Sequence, residues 1–269
     1  MVESDAAVEE ILKKVLNKIE SNETKETTSG GTSKMIEKYC GLTEFVGASA
    51  FGDTIGLVIA NVDSALLDTM KLEKKYRSIG IVGARIGAGP HILAADEAVK
   101  ATNTEVISIE MPRDTKGGAG HGSLIIFGGD DVSDVKRAVE VTLKEVDTRT
   151  FGDVYANEAG HIECQYTARA SYACNKVFGT PIGKSFGLIV GAPAAIGVVM
   201  ADTAMKAANI EVVSYATPQN GQNFSNEVTM TFSGDSGAVR QAVISAREIG
   251  IKLLATLGSE PTNDQPSYI

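Results

Sequence analysis

Apolar residues recur along the chain with two spacings, and stretches of the two kinds alternate. Short runs of apolar and β-branched residues predict strands. Residues that return every three to four positions, such as Ile92, Ala95 and Val99, predict amphipathic helices. In the first half, the predicted strands are 45–48, 54–60, 79–84, 105–111 and 123–127, and the predicted helices are 63–71, 90–101 and 132–144.

The second half repeats this order of elements. The predicted strands are 186–190, 211–216 and 227–232, and the predicted helices are 193–208 and 237–249. Residues 161–170 are expected to supply further strands before this core, as residues 44–60 do in the first half. Each half therefore predicts a β-α-β-β-α core with its helices on one face of a mainly antiparallel sheet, which is an α+β fold. The polar, proline-containing tail (residues 258–269) is predicted to be irregular and to lie over the surface or extend to a neighbour.

One stretch occurs twice and indicates that the halves are copies of one domain. AADEAVKATNTEV spans residues 94–106, and MADTAMKAANIEV spans 200–212, 106 positions later. The likeness continues downstream, where FGGD from Phe127 matches FSGD from Phe232. Because solenoids are built from shorter and more numerous units, two long repeats predict two domains.

Before the first repeat, residues 4–21 predict an amphipathic helix. One face is apolar and the other carries Glu and Lys. The polar stretch 22–33 that follows predicts a flexible linker. Since a short helix has no core of its own, its stripe is expected to dock on a partner, the alternatives being packing on its own body or fraying. The docking stripe consists of Val8, Ile11, Leu12, Val15, Leu16 and Ile19.

Composition excludes several classes of protein. With a net charge of −9 the chain offers no broad phosphate-binding surface, so nucleic acid is not an expected partner. No apolar run reaches the length of a membrane span and no signal-peptide pattern opens the chain, so no membrane association is expected. Cys40, Cys164 and Cys174 form no CxxC pair, which favours reduced thiols in a cytosolic protein.

The repeated motif is typical of one family. AADxAxKAAxxEV followed by a hairpin and GDxxAVxxAV, present at 94–106 with 129–139 and again at 200–212 with 234–243, resembles the shell-protein domain of bacterial microcompartments. A strand precedes each core instead of following it, as in the circularly permuted tandem shell proteins. The stretches that begin at Gly52, Phe151 and Ser233 are similar to shell proteins of propanediol-utilization microcompartments, with ethanolamine- and ethanol-type shell proteins as the alternatives.

This resemblance implies an architecture of two tandem permuted ferredoxin-like shell domains. The expected divisions are an extension with linker at 1–34, a first domain at 35–150 and a second at 151–269, with Met35 as a possible internal start. It further implies a homotrimer of pseudo-hexameric outline that tiles edge to edge with hexameric shell proteins, inside the cytoplasm. The N-terminal helix would bind the encapsulated enzymes, and small polyols such as glycerol or 1,2-propanediol would pass through pores.

Two glycine-rich stretches resemble nucleotide-binding motifs, but neither has the residues that such a motif requires. The stretch 117–123 lacks the lysine of a P-loop and leads into an apolar strand, and the stretch from Gly83 is only a loose dinucleotide fingerprint. Residues 113–122 and 217–224 are instead flexible hairpin loops or, by the resemblance, pore loops at the central axis. The candidate pore-loop residues are Arg113, Asp114, Lys116, Gly117, Gly118, His121, Gln219, Asn220 and Asn223.

A second candidate pore lies between the repeats, where polar residues occupy strand ends and loops. Hydrogen-bond acceptors there would favour a diol over an aldehyde, which has no hydroxyl donor at its reactive carbon. The candidate residues are Glu44, Asp53, Asn61, Glu110, Asn157, Glu158 and Glu163, with His161 in support.

The histidines lack metal spacing, so neither a metal, a cofactor nor catalytic residues are expected. An enzyme on a ferredoxin-like fold, or a regulatory module that binds a small molecule, remains the alternative.

Overall fold

The computed structural model describes residues 42–113, 120–222 and 224–269, and residues 46–269 form one compact unit. The first repeat forms a five-stranded sheet with the order β1-β2-β3-β5-β4. Its pairings β2–β3, β3–β5 and β5–β4 are antiparallel. The strands are β1 (Phe45–Ser49), β2 (Thr54–Ile59), β3 (Ser78–Ala84), β4 (Glu105–Glu110) and β5 (Ser123–Gly129).

Helices α2 (Ala88–Ala101) and α3 (Val132–Glu145) pack on the sheet of the first repeat, while the short α1 (Ser64–Thr69) joins β2 to β3. Helix α3 begins at Asp131, whose carboxylate accepts a hydrogen bond from the backbone amide of Ser133. Gly80 of β3 lets this helix approach closely, because a Cβ there would lie 2.8 Å from the carbonyl oxygen of Val135.

The second repeat reproduces this arrangement with the strand order β6-β7-β8-β10-β9. Its large core is formed by apolar residues of the sheet and of the two long helices, including Ile162, Met200 and Phe232. The strands are β6 (Val154–Asn157), β7 (Gly160–Thr167), β8 (Ser185–Ala192), β9 (Ile210–Ala216) and β10 (Val228–Gly234), and the helices are α4 (Tyr172–Phe178), α5 (Ala194–Ala207) and α6 (Ser236–Ala255).

The predicted α+β fold with two tandem copies is confirmed, and most of the predicted elements occur within a few residues of their predicted bounds. Three short helices were not predicted: α4, the 3-10 turn Phe51–Asp53 and the π-helical turn Val146–Thr150 between the repeats. The predicted N-terminal helix and its linker lie outside the described residues.

The tail (residues 258–269) is irregular, as predicted, but it does not lie loosely on the surface. Tyr268 and Ile269 pack against the core of the second repeat, and Ile269 is only 8% exposed. The tail is held by hydrogen bonds from Ser267 and Tyr268 to the buried carboxylate of Asp153. The tail thus lies over the second repeat with most of its residues exposed, as predicted, while its two closing residues, which the polar composition did not reveal, anchor it in the core.

Within the described ranges, no helix combines the length and the apolar character needed to cross a membrane.

Candidate functional site

A cavity of about 190 Å³ lies where the two repeats meet. The first repeat supplies the beginning of α2 and the residues on either side of its β4–β5 loop, and the second supplies the sheet face opposite α5 and α6. We call this space the seam cavity. It is lined by Ala88, Gly89, Met111, Gly120, His121, His161, Glu163, Phe178, Leu188, Val190, Ser214, Ala216, Gly221, Gln222, Glu227 and Thr229.

Glu163 of β7 is the most perturbed acid of the seam cavity. Its side chain lies at the first turn of α2, where it accepts a hydrogen bond from the amide of Gly89. Gly89 leaves room for this carboxyl group, because a Cβ at that position would lie 1.9 Å from Glu163 Oε1 and force the side chain to move. Burial and the nearby Glu227 raise the pKa of Glu163 to about 8 despite that hydrogen bond, so the group carries a proton at neutral pH.

Glu227 joins the two repeats through a pair of histidines. His121 Nδ1, from the first repeat, lies 2.8 Å from Glu227 Oε1 and donates a hydrogen bond to it. His161 Nε2, from β7, lies 3.6 Å from Glu227 Oε2. Burial lowers the pKa of His161, although the charge of Glu227 opposes that shift.

Among the described residues, the second carboxylate oxygen of Glu227 is a buried acceptor without a hydrogen-bond partner. Such an atom costs free energy unless a ligand or water donates to it. Since Glu227 is 2% exposed and lines the seam cavity, a molecule inside that cavity can donate to this oxygen.

The chemistry available in the seam cavity is that of hydrogen bonding. Acceptors come from Glu227, a donor comes from protonated Glu163, and Ser214 and Thr229 add hydroxyl groups. The remaining walls, which include Leu188 and Val190, are apolar. Across the part of the chain that the structure describes, no group of three or more metal-ligating side chains occurs.

The structure brings two of the predicted pore residues between the repeats, His161 and Glu163, into the seam cavity. Others of that set lie apart from it. Glu44, Asp53, Asn61 and Glu110 are exposed, and none of them lines the cavity.

Asn157 and Glu158 bind the tail instead of lining the cavity. The Asn157 amide donates to the carbonyl oxygens of Leu254 and Ser259. Glu158 accepts hydrogen bonds from the backbone amide and the hydroxyl group of Ser259. Their side chains are therefore used in holding the segment after α6 against the β6–β7 hairpin.

The predicted pore loops are described only in part. His121 belongs to the seam cavity, whereas Arg113, Gln219 and Asn220 are exposed. Asp114, Lys116, Gly117, Gly118 and Asn223 lie outside the described residues.

Sequence reasoning missed Glu227. It lies at the beginning of the β10 region and has the pattern of an ordinary acidic residue beside a loop. The available signal was the difference between the repeats, because the position five residues before Phe127 is Gly122, whereas the position five residues before Phe232 is Glu227.

Comparisons with known proteins agree with this architecture. A family model of the BMC domain matches residues 78–158 and 185–260. The bacterial microcompartment shell protein PduB of Citrobacter freundii is 69% identical over 99% of both chains. That of Salmonella typhimurium is 76% identical over 87% of this chain and 86% of the relative.

Two solved structures match as well. The crystal structure of a trimeric bacterial microcompartment shell protein PduB is 56% identical with a TM-score of 0.82, and the match covers 85% of this chain and 100% of that one. The structure of EtuB from Clostridium kluyveri is 52% identical with a TM-score of 0.81, covering 84% of this chain and 99% of that one. The chain therefore belongs to the bacterial microcompartment shell proteins, which are structural components and not enzymes, and it carries two BMC domains in tandem.

Proposed function

We propose that the protein is a homotrimeric shell tile of a propanediol-utilization microcompartment, with its two repeats giving the trimer a pseudo-hexameric outline. The identity of 69–76% to PduB shell proteins and the match to a trimeric PduB structure support this proposal. The structural likeness to EtuB supports a shell tile of an ethanol-type compartment as the second candidate.

The seam cavity is the proposed pore for small polar metabolites such as glycerol and 1,2-propanediol. The observation that carries this assignment is the unpartnered Oε2 atom of Glu227, which is buried inside a cavity that both repeats build. A diol hydroxyl supplies the missing donor. Its second hydroxyl can accept a hydrogen bond from protonated Glu163.

The hydrogen bonds available in the seam cavity are expected to bind a diol weakly enough for it to pass through. Each hydrogen bond contributes a net stabilisation of about 0.5–1.5 kcal/mol. A few of them therefore give dissociation constants of roughly millimolar order or weaker, which permits rapid release. An aldehyde carbonyl accepts hydrogen bonds but donates none, so it satisfies Glu163 and leaves Glu227 Oε2 unpaired. The seam cavity is expected to prefer the diol for that reason.

Other partners follow from the family resemblance and stay proposals. They are hexameric shell proteins at the tile edges, encapsulated enzymes on the N-terminal helix and small polyols in the pores. The exposed candidates Glu44, Asp53, Asn61 and Glu110 belong to the same proposal, as do the central-axis loops.

The first test is the mass of the purified protein by light scattering. Three chains of 28.2 kDa are expected in one particle, and concentrated samples should form flat sheets under negative-stain microscopy. A monomer that never tiles would restore the alternative of a regulatory module. In that case calorimetric titration with glycerol would show micromolar or tighter binding, whereas a pore gives weak binding or none.

The second test concerns the pore. Diol entry into purified shells should fall when Glu227 is replaced in the variant Glu227→Gln. The matched control is Glu248→Gln, since Glu248 is exposed on α6. Equal influx in the two variants would remove Glu227 from the pathway.

A further inference from the structure

The two repeats present equivalent surfaces, and the described residues of the chain cover only one of them. Helices α2 and α5 both contain 14 residues, and Ala195 of α5 occupies the position of Gly89 in α2. In the first repeat, this helix is covered by α4 and by the sheet of the second repeat, which pack against Ile92 and Leu93.

The equivalent face of the second repeat is uncovered. Val198 and Val199 are 49% and 41% exposed, whereas their counterparts Ile92 and Leu93 are 1% exposed. The same contrast holds for two further pairs. Met205 and Val212 are 56% and 43% exposed, against 9% for Val99 and 7% for Val106. The second repeat thus carries an apolar face that the described residues of a single chain do not bury.

Strand register identifies what would lie against Ala195. In the second sheet, Glu163 of β7 pairs with Val190 of β8, and Val190 pairs with Thr229 of β10. In the first sheet, Ile55 of β2 pairs with Gly83 of β3, and Gly83 pairs with Leu124 of β5. Thr229 and Leu124 both stand three residues before the phenylalanine of the repeated FxGD motif. Ile55 therefore occupies in the first sheet the position that Glu163 occupies in the second, and it is 43% exposed.

We propose that Ile55 of one protomer packs on Ala195 of the neighbouring protomer, so that apolar seams between chains alternate with the polar seams within chains. The partner is a second copy of this chain, because the interface inside the chain joins the same two surfaces. This proposal rests on the homotrimer proposed above and adds that only one class of seam carries a polar cavity.

Side-chain size explains why the pair within a chain is Glu163 with Gly89, whereas the proposed pair between chains is Ile55 with Ala195. The carboxyl group of Glu163 lies against α2 at a point that a Cβ at position 89 would crowd. The exposed methyl group of Ala195 would meet a carboxylate at the same place, whereas it offers an apolar contact to Ile55.

Two further polar groups of the seam cavity, Glu227 and His121, have no equivalent acid or histidine in the second seam. The counterpart of Glu227 is Gly122, where a Cβ would lie 2.3 Å from the carbonyl oxygen of Ala84. The counterpart of His121 is Asn226, which is used locally because it accepts a hydrogen bond from the amide of Ala194. No acid can therefore be placed at position 122 without moving the backbone.

Cross-linking tests the contact directly. The variant Ile55→Cys/Ala195→Cys, in a Cys40→Ser background, is treated with a short bismaleimide and resolved on a denaturing gel. Cys164 and Cys174 are buried, so they contribute little background. We expect species of two and three linked chains, which neither single-cysteine variant should give.

Introducing a charge at position 55 provides the second measurement. Ile55→Glu should raise the dissociation constant of the trimer roughly tenfold or more, because a carboxylate would be buried against Ala195. Adding Ala195→Gly should restore much of the affinity by reproducing the Gly89–Glu163 arrangement. Light scattering at matched concentrations reports both effects.

The outcomes separate the two proposals. A trimer that shows neither cross-links nor an effect of Ile55→Glu would overturn the proposed contact and leave the shell function standing. A wild-type protein that is monomeric would overturn the homotrimer and the contact together.

Discussion

The carboxylate of Asp96, in the first repeat, accepts hydrogen bonds from the backbone amide of Ser171 in the second, at 3.0 and 2.9 Å. It also accepts one from the amide of Cys174 at 3.1 Å. Asp96 is fully buried, and its charge is balanced by Lys100 at 3.0 Å. Ser171 itself makes no side-chain cap for α4, so Asp96 satisfies the start of that helix from another domain.

Replacing Asp96 with alanine should therefore destabilise the contact between the repeats. The change leaves two buried amides without partners and removes one of the two acidic partners of Lys100, the other being Glu97. We expect a loss of about 2 kcal/mol or more in the free energy of unfolding. Urea denaturation at fixed protein concentration measures it. Glu140→Ala, which removes a surface ion pair with Arg137, is the control and should change stability by less than about 1 kcal/mol. Equal losses in the two variants would contradict the proposed role.

Helix α4 also shows where sequence reasoning reaches its limit. It spans seven residues, and the signal for its beginning is the carboxylate of Asp96, 75 positions earlier in the sequence. By contrast, α2 and α3 carry their own apolar stripes, and α3 carries its own N-cap at Asp131. Among the α-helices, those whose stabilising contacts are local were predicted, and the one stabilised from another domain was missed.

The same distinction applies to the seam cavity. His161 and Glu163 were predicted because they belong to the polar residues at strand ends and loops that flank the repeats. The importance of Glu227 depends on His121, which reaches it from the other repeat at 2.8 Å. Asn157 and Glu158 had the same polar pattern, yet the tail occupies their side chains. Composition and spacing do not distinguish a polar residue that lines the cavity from one that binds the tail.

A methyl group at position 89 should disturb the seam cavity. In Gly89→Ala the new Cβ would lie 1.9 Å from Glu163 Oε1, so the buried carboxyl group must move. We expect a loss of about 1–3 kcal/mol, as for other overpacked sites. Thermal unfolding of the single variants and of Gly89→Ala/Glu163→Ala would measure the coupling. The double variant should be more stable than the sum of the single effects predicts, and simple additivity would argue against the contact.

The raised pKa of Glu163, about 8 instead of the ordinary 4.5, predicts a dependence of stability on pH. Between these two values the folded state binds more protons than the unfolded state, so the free energy of unfolding contributed by this group falls as the pH rises. Above pH 8 the cost is complete, on the order of a few kcal/mol.

Glu163→Gln removes this dependence. The variant should gain stability relative to the wild type as the pH is raised from 5 to 8, and the difference should then level off. Urea midpoints of the two proteins across that range measure the effect, because His91 and His161 contribute equally to both. Glu248→Gln is the control and should follow the wild-type curve. A constant difference between Glu163→Gln and the wild type would mean that Glu163 is ionised throughout.

The last residues of the sequence should matter for the seam as well as for the core. Asp153 is fully buried and pairs with Arg247, and it also accepts hydrogen bonds from Ser267 and Tyr268. The Tyr268 hydroxyl donates to Gln165 Oε1 at 2.8 Å, two positions after Glu163 in β7. Tail and seam are thus connected through one strand.

Tyr268→Phe removes the hydroxyl group alone and should cost about 1 kcal/mol, whereas deletion of residues 267–269 also uncovers apolar core and should cost several times more. Both changes remove the donor to Gln165 Oε1, so both should alter the NMR shifts of His161 in the seam cavity. If the deletion lowers the melting temperature but leaves those shifts unchanged, the tail serves the core of the second repeat only. Shifts that move in both variants would show that the tail positions the strand that carries Glu163.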